Sequence, residues 1–246
     1  MNMRDMADVL KRLQKFVPAG VQPKFSSAQE LMAWQQEEAR KYSEKLDQEN
    51  SRTRLEKTFG RSGIRERYQN CTFKNYAVGN DSQRKALSLA KSWLNNYGSG
   101  CACFVFSGNP GTGKNHLAAA IGNALLAQQK SVLIITVADL MTEFKAGFNG
   151  GKSEAELLEQ ISSVDLLVLD EVGVQMYSQY EKVILHQVID RRTSMLKPVG
   201  ILTNLNAADL TKAIGERAFD RLQMDGGMWV IFSWASHRGN NILSSQ

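Results

Sequence analysis

The fold this 246-residue chain predicts is an α/β domain, a parallel sheet flanked by helices, preceded by a small helical N-terminal domain. Three observations carry that expectation. From about residue 76 onward, short apolar runs alternate with helix-length stretches, the pattern of a parallel sheet covered on both faces. A glycine-rich turn, Gly108-Asn109-Pro110-Gly111-Thr112-Gly113-Lys114-Asn115, stands between one such run and a strong helix start. The formal charge is also uneven: residues 1–75 hold 15 Lys and Arg against 10 Asp and Glu, while residues 76–246 hold 15 of each. That asymmetry implies two functional parts.

Taken in order, Met3, Met6, Leu10, Leu13 and Val17 recur at helical spacing. Pro18, Gly20 and Pro23 stop that helix. Ser27-Ala28-Gln29-Glu30 is a capping box for a second helix, whose apolar seam (Leu31, Trp34, Tyr42, Leu46) is sparse among charges. Such a seam is too small for a core of its own and suits docking onto a partner, with packing on the chain's own α/β domain as the alternative, so Leu13, Leu31 and Trp34 are candidate anchors. Residues 1–55 are therefore read as a docking region. Residues 56–75, with Arg61, Arg65, Arg67 and the breakers Gly60 and Gly63, are read as a basic linker, and 76–246 as the α/β domain. Expected strands are 104–107, 132–136, 166–170, 200–203 and 229–233. Expected helices are 114–127, 138–148, 154–162, 180–194 and 207–224, the last of them broken.

The turn fits the phosphate-cradling pattern G-x-x-x-x-G-K-[ST] at all but its last position. A strand feeding a glycine turn that opens a helix aims backbone N–H groups and the positive helix end at an anion. Gly108 to His116 are thus candidate nucleotide-binding residues, with Lys114 a point charge for the β and γ phosphates. Ser or Thr at position 115 would lend a hydroxyl to Mg²⁺. The carbonyl of Asn115 is also a hard oxygen donor and could take that role.

Downstream, Val164-Asp165-Leu166-Leu167-Val168-Leu169-Asp170-Glu171 is an apolar run ending in two acids, as in a strand buried on both faces. Asp170 at its carboxyl end is the second candidate Mg²⁺ ligand, and Glu171 is placed to polarise an attacking water. Asn204 closes the next strand and could hold that water or sense phosphate. A helix N-cap is the plainer role for it. Arg217 and Arg221 share a helix face four residues apart. They could reach a neighbouring subunit's phosphate or pair within the helix with Asp220 and Asp225.

Composition excludes several classes. Hydrophobic residues make up 43% of the chain, enough for a substantial core. No apolar stretch approaches the roughly 18 residues that span a bilayer. Residues 1–12 carry acids and do not form a secretory signal. The three cysteines (Cys71, Cys101, Cys103) form no zinc-ligand pattern and cannot all pair internally, which points to a reduced, cytoplasmic compartment; no membrane partner is expected, for want of a long apolar stretch.

Together, Cys71-Thr72-Phe73-Lys74-Asn75-Tyr76, Gly113-Lys114-Asn115-His116-Leu117-Ala118, Val137-Ala138-Asp139-Leu140, Leu169-Asp170-Glu171-Val172-Gly173, Leu202-Thr203-Asn204 and Gly215-Glu216-Arg217…Asp220-Arg221 resemble the bacterial DnaC replicative-helicase loaders. The resemblance runs from Leu10 almost to the C-terminus, and Asn115 itself is characteristic of that family. It implies an AAA+ ATPase that binds a hexameric DnaB-type helicase through its N-terminal region. It implies too that the loader places the ring on single-stranded DNA in replication initiation and restart, with ATP and Mg²⁺ between protomers of an open spiral. On that correspondence Gly108–Asn115 is the Walker A loop, Asp170 and Glu171 the Walker B acids, and Asn204 the first sensor. Arg221 is the arginine finger, with Arg217 beside it, and Arg238 matches the second sensor only weakly. Phe148 and Tyr180 fall in regions that line the central channel of related initiators and could stack on bases. The same core also serves IstB-like transposition helpers, against which the match at Leu31 and Trp34 argues. A non-catalytic, ATP-switched helicase adaptor would have no need of Glu171.

Overall fold

The computed structural model describes residues 25, 27–59, 64–147, 152–174 and 178–237. Contacts divide the chain into two compact units, Met1–Asp47 and Gln48–Gln246. The helix expected over residues 3–17, with Leu13, lies outside the described residues, as do Phe148 and Arg238.

Helix α1 spans Ala28–Phe59. Its start is capped as expected, since the Glu30 N–H donates to Ser27 Oγ at 3.1 Å. Its charged side chains pair along the helix, as in Arg40 with Glu37 at 2.9 Å. Such exposed pairs support a helix without burying it. Trp34, Tyr42 and Leu46 remain exposed, and Trp34 meets the Phe25 ring at 5.3 Å between centroids.

Residues 64–75, part of the stretch expected to be a linker, are instead packed. Ile64 and Cys71 are buried against Ala119, and the Asn123 amide donates to the carbonyls of Tyr68 (3.0 Å) and Cys71 (2.8 Å). Ile64 and Cys71 dock the segment, while Arg65 and Arg67 stay solvent-exposed.

Helix α2, Asp81–Asn95, has no counterpart in the expected elements. Its start is a full capping box between Asn80 and Gln83, a signal present in the sequence. The remaining elements follow the expected order. They are β1 (Phe104–Gly108), α3 (Lys114–Ala127), β2 (Val132–Thr136), α4 (Val137–Gly147), α5 (Glu154–Ser163), β3 (Leu166–Val172), α6 (Gln179–Ser194), β4 (Val199–Thr203), α7 (Ala207–Ile214), α8 (Glu216–Gln223) and β5 (Met228–Phe232). The expected break in the last helix falls at Gly215, whose φ is +87°.

All strand pairings are parallel, in the order β2-β3-β4-β1-β5. Alternation along β3 feeds two cores. Leu167 and Leu169 face one layer with Leu140 and Phe144 of α4, Ile161 of α5 and Leu185 and Ile189 of α6. Leu166 and Val168 face the other with Trp93 of α2 and Leu117 and Ile121 of α3. Cys101 and Cys103 are buried in the first layer, as expected, and all three cysteines are free thiols.

A fully buried Arg192 ties that layer together at its base. Its guanidinium donates to the carbonyls of Ile161 (2.9 Å), Val164 (2.9 Å) and Pro198 (2.8 Å), which include groups left over at the end of α5. Burial pushes its pKa down to about 10. Among the described residues no helix is long and apolar enough to cross a membrane.

Candidate functional site

The parallel sheet places the ends of β1, β3 and β4 at one edge, where a ligand of such a fold binds. At the end of β1, Gly108 has φ +131°, and a Cβ there would strike the backbone carbonyl of Phe232 on β5. Only glycine allows the loop to leave the sheet so close to its neighbour. The loop is then pinned along its outer side. Asn109 N–H donates to Phe232 O (2.9 Å), Trp234 Nε1 to Thr112 O (2.9 Å) and His237 N–H to Gly111 O (2.9 Å). Helix α3 starts at Lys114 with Gly113 as its N-cap and no side-chain cap. Its first N–H groups are therefore directed at the loop's concavity, as a phosphate site requires.

Lys114 is buried, and its ammonium donates to Gly108 O (2.6 Å), Asn109 O (2.8 Å) and Asn204 Oδ1 (2.9 Å). One side chain thus joins the phosphate loop to the end of β4. Asn115 makes the second bridge: its amide nitrogen donates to Asp170 Oδ2. The Glu171 N–H donates to the other Asp170 oxygen at 2.7 Å. Burial raises the Asp170 pKa above its ordinary value. The Glu171 N–H and the Asn115 amide pull it back down, the Glu171 charge pushes it up, and Arg65 lowers it. Asn115 therefore serves the carboxylate through its donor side.

Glu171 itself has φ +59°. Between Leu169 and Val172 the β3–β4 register slips, so that β3 carries one residue more than β4. Such a bulge re-aims side chains beside active sites. A cavity of about 350 Å³ is lined by the loop, Lys114, Asn115, Asp170, Glu171 and Asn204. His116 also lines it, but its Nε2 lies 3.1 Å from Thr72 O and 3.0 Å from Asn75 Oδ1. Both are acceptors, so Nε2 carries the proton and fastens α3 to the 72–75 segment.

The donor set fits a magnesium nucleotide. Mg²⁺ binds through one or two carboxylates and takes its other ligands from phosphate and water. Asp170 supplies such a carboxylate beside the loop, with the Asn115 carboxamide adjoining it. Among the described residues no group of three or more His, Cys, Asp or Glu forms an all-protein metal cage.

Other candidates lie apart from this cavity. Arg221 on α8 pairs with Asp190 of α6 at 3.1 Å, not within its own helix, and Arg217 is exposed on the same short helix. Tyr180 is half-buried against the core, and its hydroxyl donates to Glu154 Oε2 at 3.0 Å. Its ring is committed to packing between α5 and α6. Leu31 is half-buried and Trp34 exposed on α1.

Two arginines of the cavity wall were not expected there, Arg65 and Arg67, and Tyr68 lines it beside them. In the sequence they belong to a basic stretch far from the phosphate loop. Ile64, docking on Ala119, is what carries them to it.

A phosphate loop after a central strand, two acids after its second neighbour and an asparagine after the strand between them define an AAA+ P-loop nucleotide-binding protein. Solved structures agree. The DnaC helicase loader superposes with a TM-score of 0.61 at 26% identity, over 69% of this chain and 100% of that one. AMPPCP-bound DnaA from Aquifex aeolicus shares the fold, with a TM-score of 0.60 at 24% identity over 69% of this chain and 51% of that one. The family description "IstB-like ATP binding protein" matches residues 27–224. Replicative helicase loader DnaC of Escherichia coli K12 is 51% identical over 96% of this chain and 97% of its own length. Its counterpart from Buchnera aphidicola of Schizaphis graminum is 48% identical over 94% and 95%. The chain belongs to the IstB-like ATP-binding family and, within it, to the DnaC replicative helicase loaders.

Proposed function

We propose that this protein is an ATP-hydrolysing loader that binds a DnaB-type hexameric helicase and places it on single-stranded DNA in the cytoplasm. The observation that carries the reading is the pair of bridges, Lys114 to Asn204 and Asn115 to Asp170, which join the phosphate loop to the ends of β4 and β3. Identity to the loader over 96% of the chain supports the choice over a transposition helper, because it includes the N-terminal docking region.

In this reading backbone N–H groups at the start of α3 bind the phosphates and Lys114 neutralises their charge. Asp170, oriented by Asn115, holds Mg²⁺. The metal, when bound, neutralises charge on the β and γ phosphate oxygens. Glu171 takes a proton from the attacking water, and Asn204 orients that water. Arg221, with Arg217 beside it, acts on the site of the adjacent protomer in an open spiral. For that step Arg221 must exchange Asp190 for phosphate. Leu13, Leu31 and Trp34 of the 1–55 region anchor the helicase, while 76–246 carries the ATPase, joined through 56–75. Phe148 and Tyr180 are proposed to face single-stranded DNA, and the packing of Tyr180 requires it to turn out from α5 to do so.

The test is ATP turnover by the full chain, alone and with the helicase and single-stranded DNA. Stimulation by both is expected. Turnover that stays at background under every condition, with ATP still bound, would make the protein an ATP-switched adaptor.

A further inference from the structure

Arg65 occupies a wall shared by two adjoining cavities. One is the nucleotide cavity. The other, about 320 Å³, is lined by Ile64, Ala119 and Ile134 on its apolar side and by Asp139, Glu143 and Asp170 on its acidic side. The backbone of Arg65 is fixed: Ile64 before it is buried, and its own carbonyl accepts from Tyr68 N–H at 2.8 Å. Its side chain is not enclosed. It is 62% exposed and pairs at 3.8 Å with Asp139, itself 66% exposed, in the first turn of α4. An exposed pair at that separation contributes little and is readily surrendered.

The charges of the nucleotide cavity favour such a surrender. Asp170 and Glu171 face Lys114, Arg65 and Arg67 there. A triphosphate brings more negative charge than the single carboxylate of Asp139 can offer. A guanidinium can grip phosphate through two parallel N–H bonds. Arg65 stands at the Asp170 and Asn115 end of the cavity, where those two residues and Tyr68 line both cavities. Were Asp170 to hold Mg²⁺ as proposed, the terminal phosphate would lie beside that carboxylate. We propose that Arg65 is a same-chain arginine for the terminal phosphate of bound ATP, held in reserve by Asp139. This rests on the ATP-binding reading and adds to it a residue that distinguishes triphosphate from diphosphate.

Equilibrium binding of fluorescent ATP and ADP analogues to the full chain tests it, with R65Q, D139N and the double variant. R65Q is expected to weaken ATP about tenfold, the loss of roughly one charge-assisted hydrogen bond, and ADP by less than about threefold. D139N frees Arg65 and is expected to tighten ATP by roughly twofold to threefold. That gain should vanish in the double variant. Equal weakening of ATP and ADP by R65Q, or unchanged ATP affinity, overturns the inference alone. So does a D139N effect that persists without Arg65. If R65Q does not fold, an ATP affinity unaltered in D139N overturns it. A wild-type chain that binds neither nucleotide overturns the ATP-binding reading and the inference with it.

Discussion

Replacing Glu171 with glycine and with alanine separates the backbone's demands at this position from those of the chemistry. The residue sits at φ +59°, beyond the register slip at the end of β3, and its side chain is exposed. The left-handed region costs an L-residue about 1–2 kcal/mol. Glycine escapes that cost but loses about 0.5–1 kcal/mol through its greater freedom in the unfolded chain. The difference leaves Glu171→Gly more stable than Glu171→Ala by roughly 0.5–1 kcal/mol, in the range seen for such exchanges. Little packing is lost in either variant, because the carboxylate lines an open cavity. Urea denaturation at neutral pH reads the stability difference, and labelled ATP with a phosphate-release assay reads binding and turnover. Both variants should bind ATP and turn over at background. An alanine variant as stable as the glycine one would show that no strain is stored at the bulge. Turnover near wild type in either would show that the base is another group.

Asn115→Ala removes the amide that stabilises the Asp170 carboxylate, so the already raised pKa should rise further. A carboxyl raised in the folded state contributes stability that is full below the unfolded pKa and lost as pH rises through the folded one. The window therefore opens above the ordinary Asp value, and in Asn115→Ala it should extend to higher pH. The acid limb of Mg²⁺-dependent ATP binding should shift the same way; an unmoved limb would assign Asn115 no hold on that carboxylate. Arg192→Ala should destabilise the fold by about 3–5 kcal/mol, since it strands several buried carbonyls and opens a cavity. A loss below about 1 kcal/mol in urea titration would mean that water replaces the guanidinium. Trp34→Ala should weaken helicase binding by on the order of 2 kcal/mol with the α/β domain's melting unchanged. An unaltered dissociation constant would remove Trp34 from the docking surface.

What the sequence by itself determined is what depends on local pattern. The phosphate loop is legible because its glycines, lysine and helix start are consecutive. The β3 run and its acids are legible because a strand buried on both faces reads as uninterrupted apolar residues. Helix α2 is absent from the expected elements, although its capping box of Asn80 and Gln83 is a local pattern. Only the tertiary structure decided the partnerships. Asn115 meets Asp170 across 55 positions and Lys114 meets Asn204 across 90, because parallel pairing brings the ends of β1, β3 and β4 to one edge. Arg65 entered the nucleotide cavity by the docking of Ile64 on α3, which basic residues in a charged stretch give no sign of. Arg221 took Asp190 from another helix in preference to its own neighbours, because α6 and α8 pack together. Periodicity and turn chemistry act within a few residues. Charge pairing and cavity walls are settled by which distant elements the core brings together.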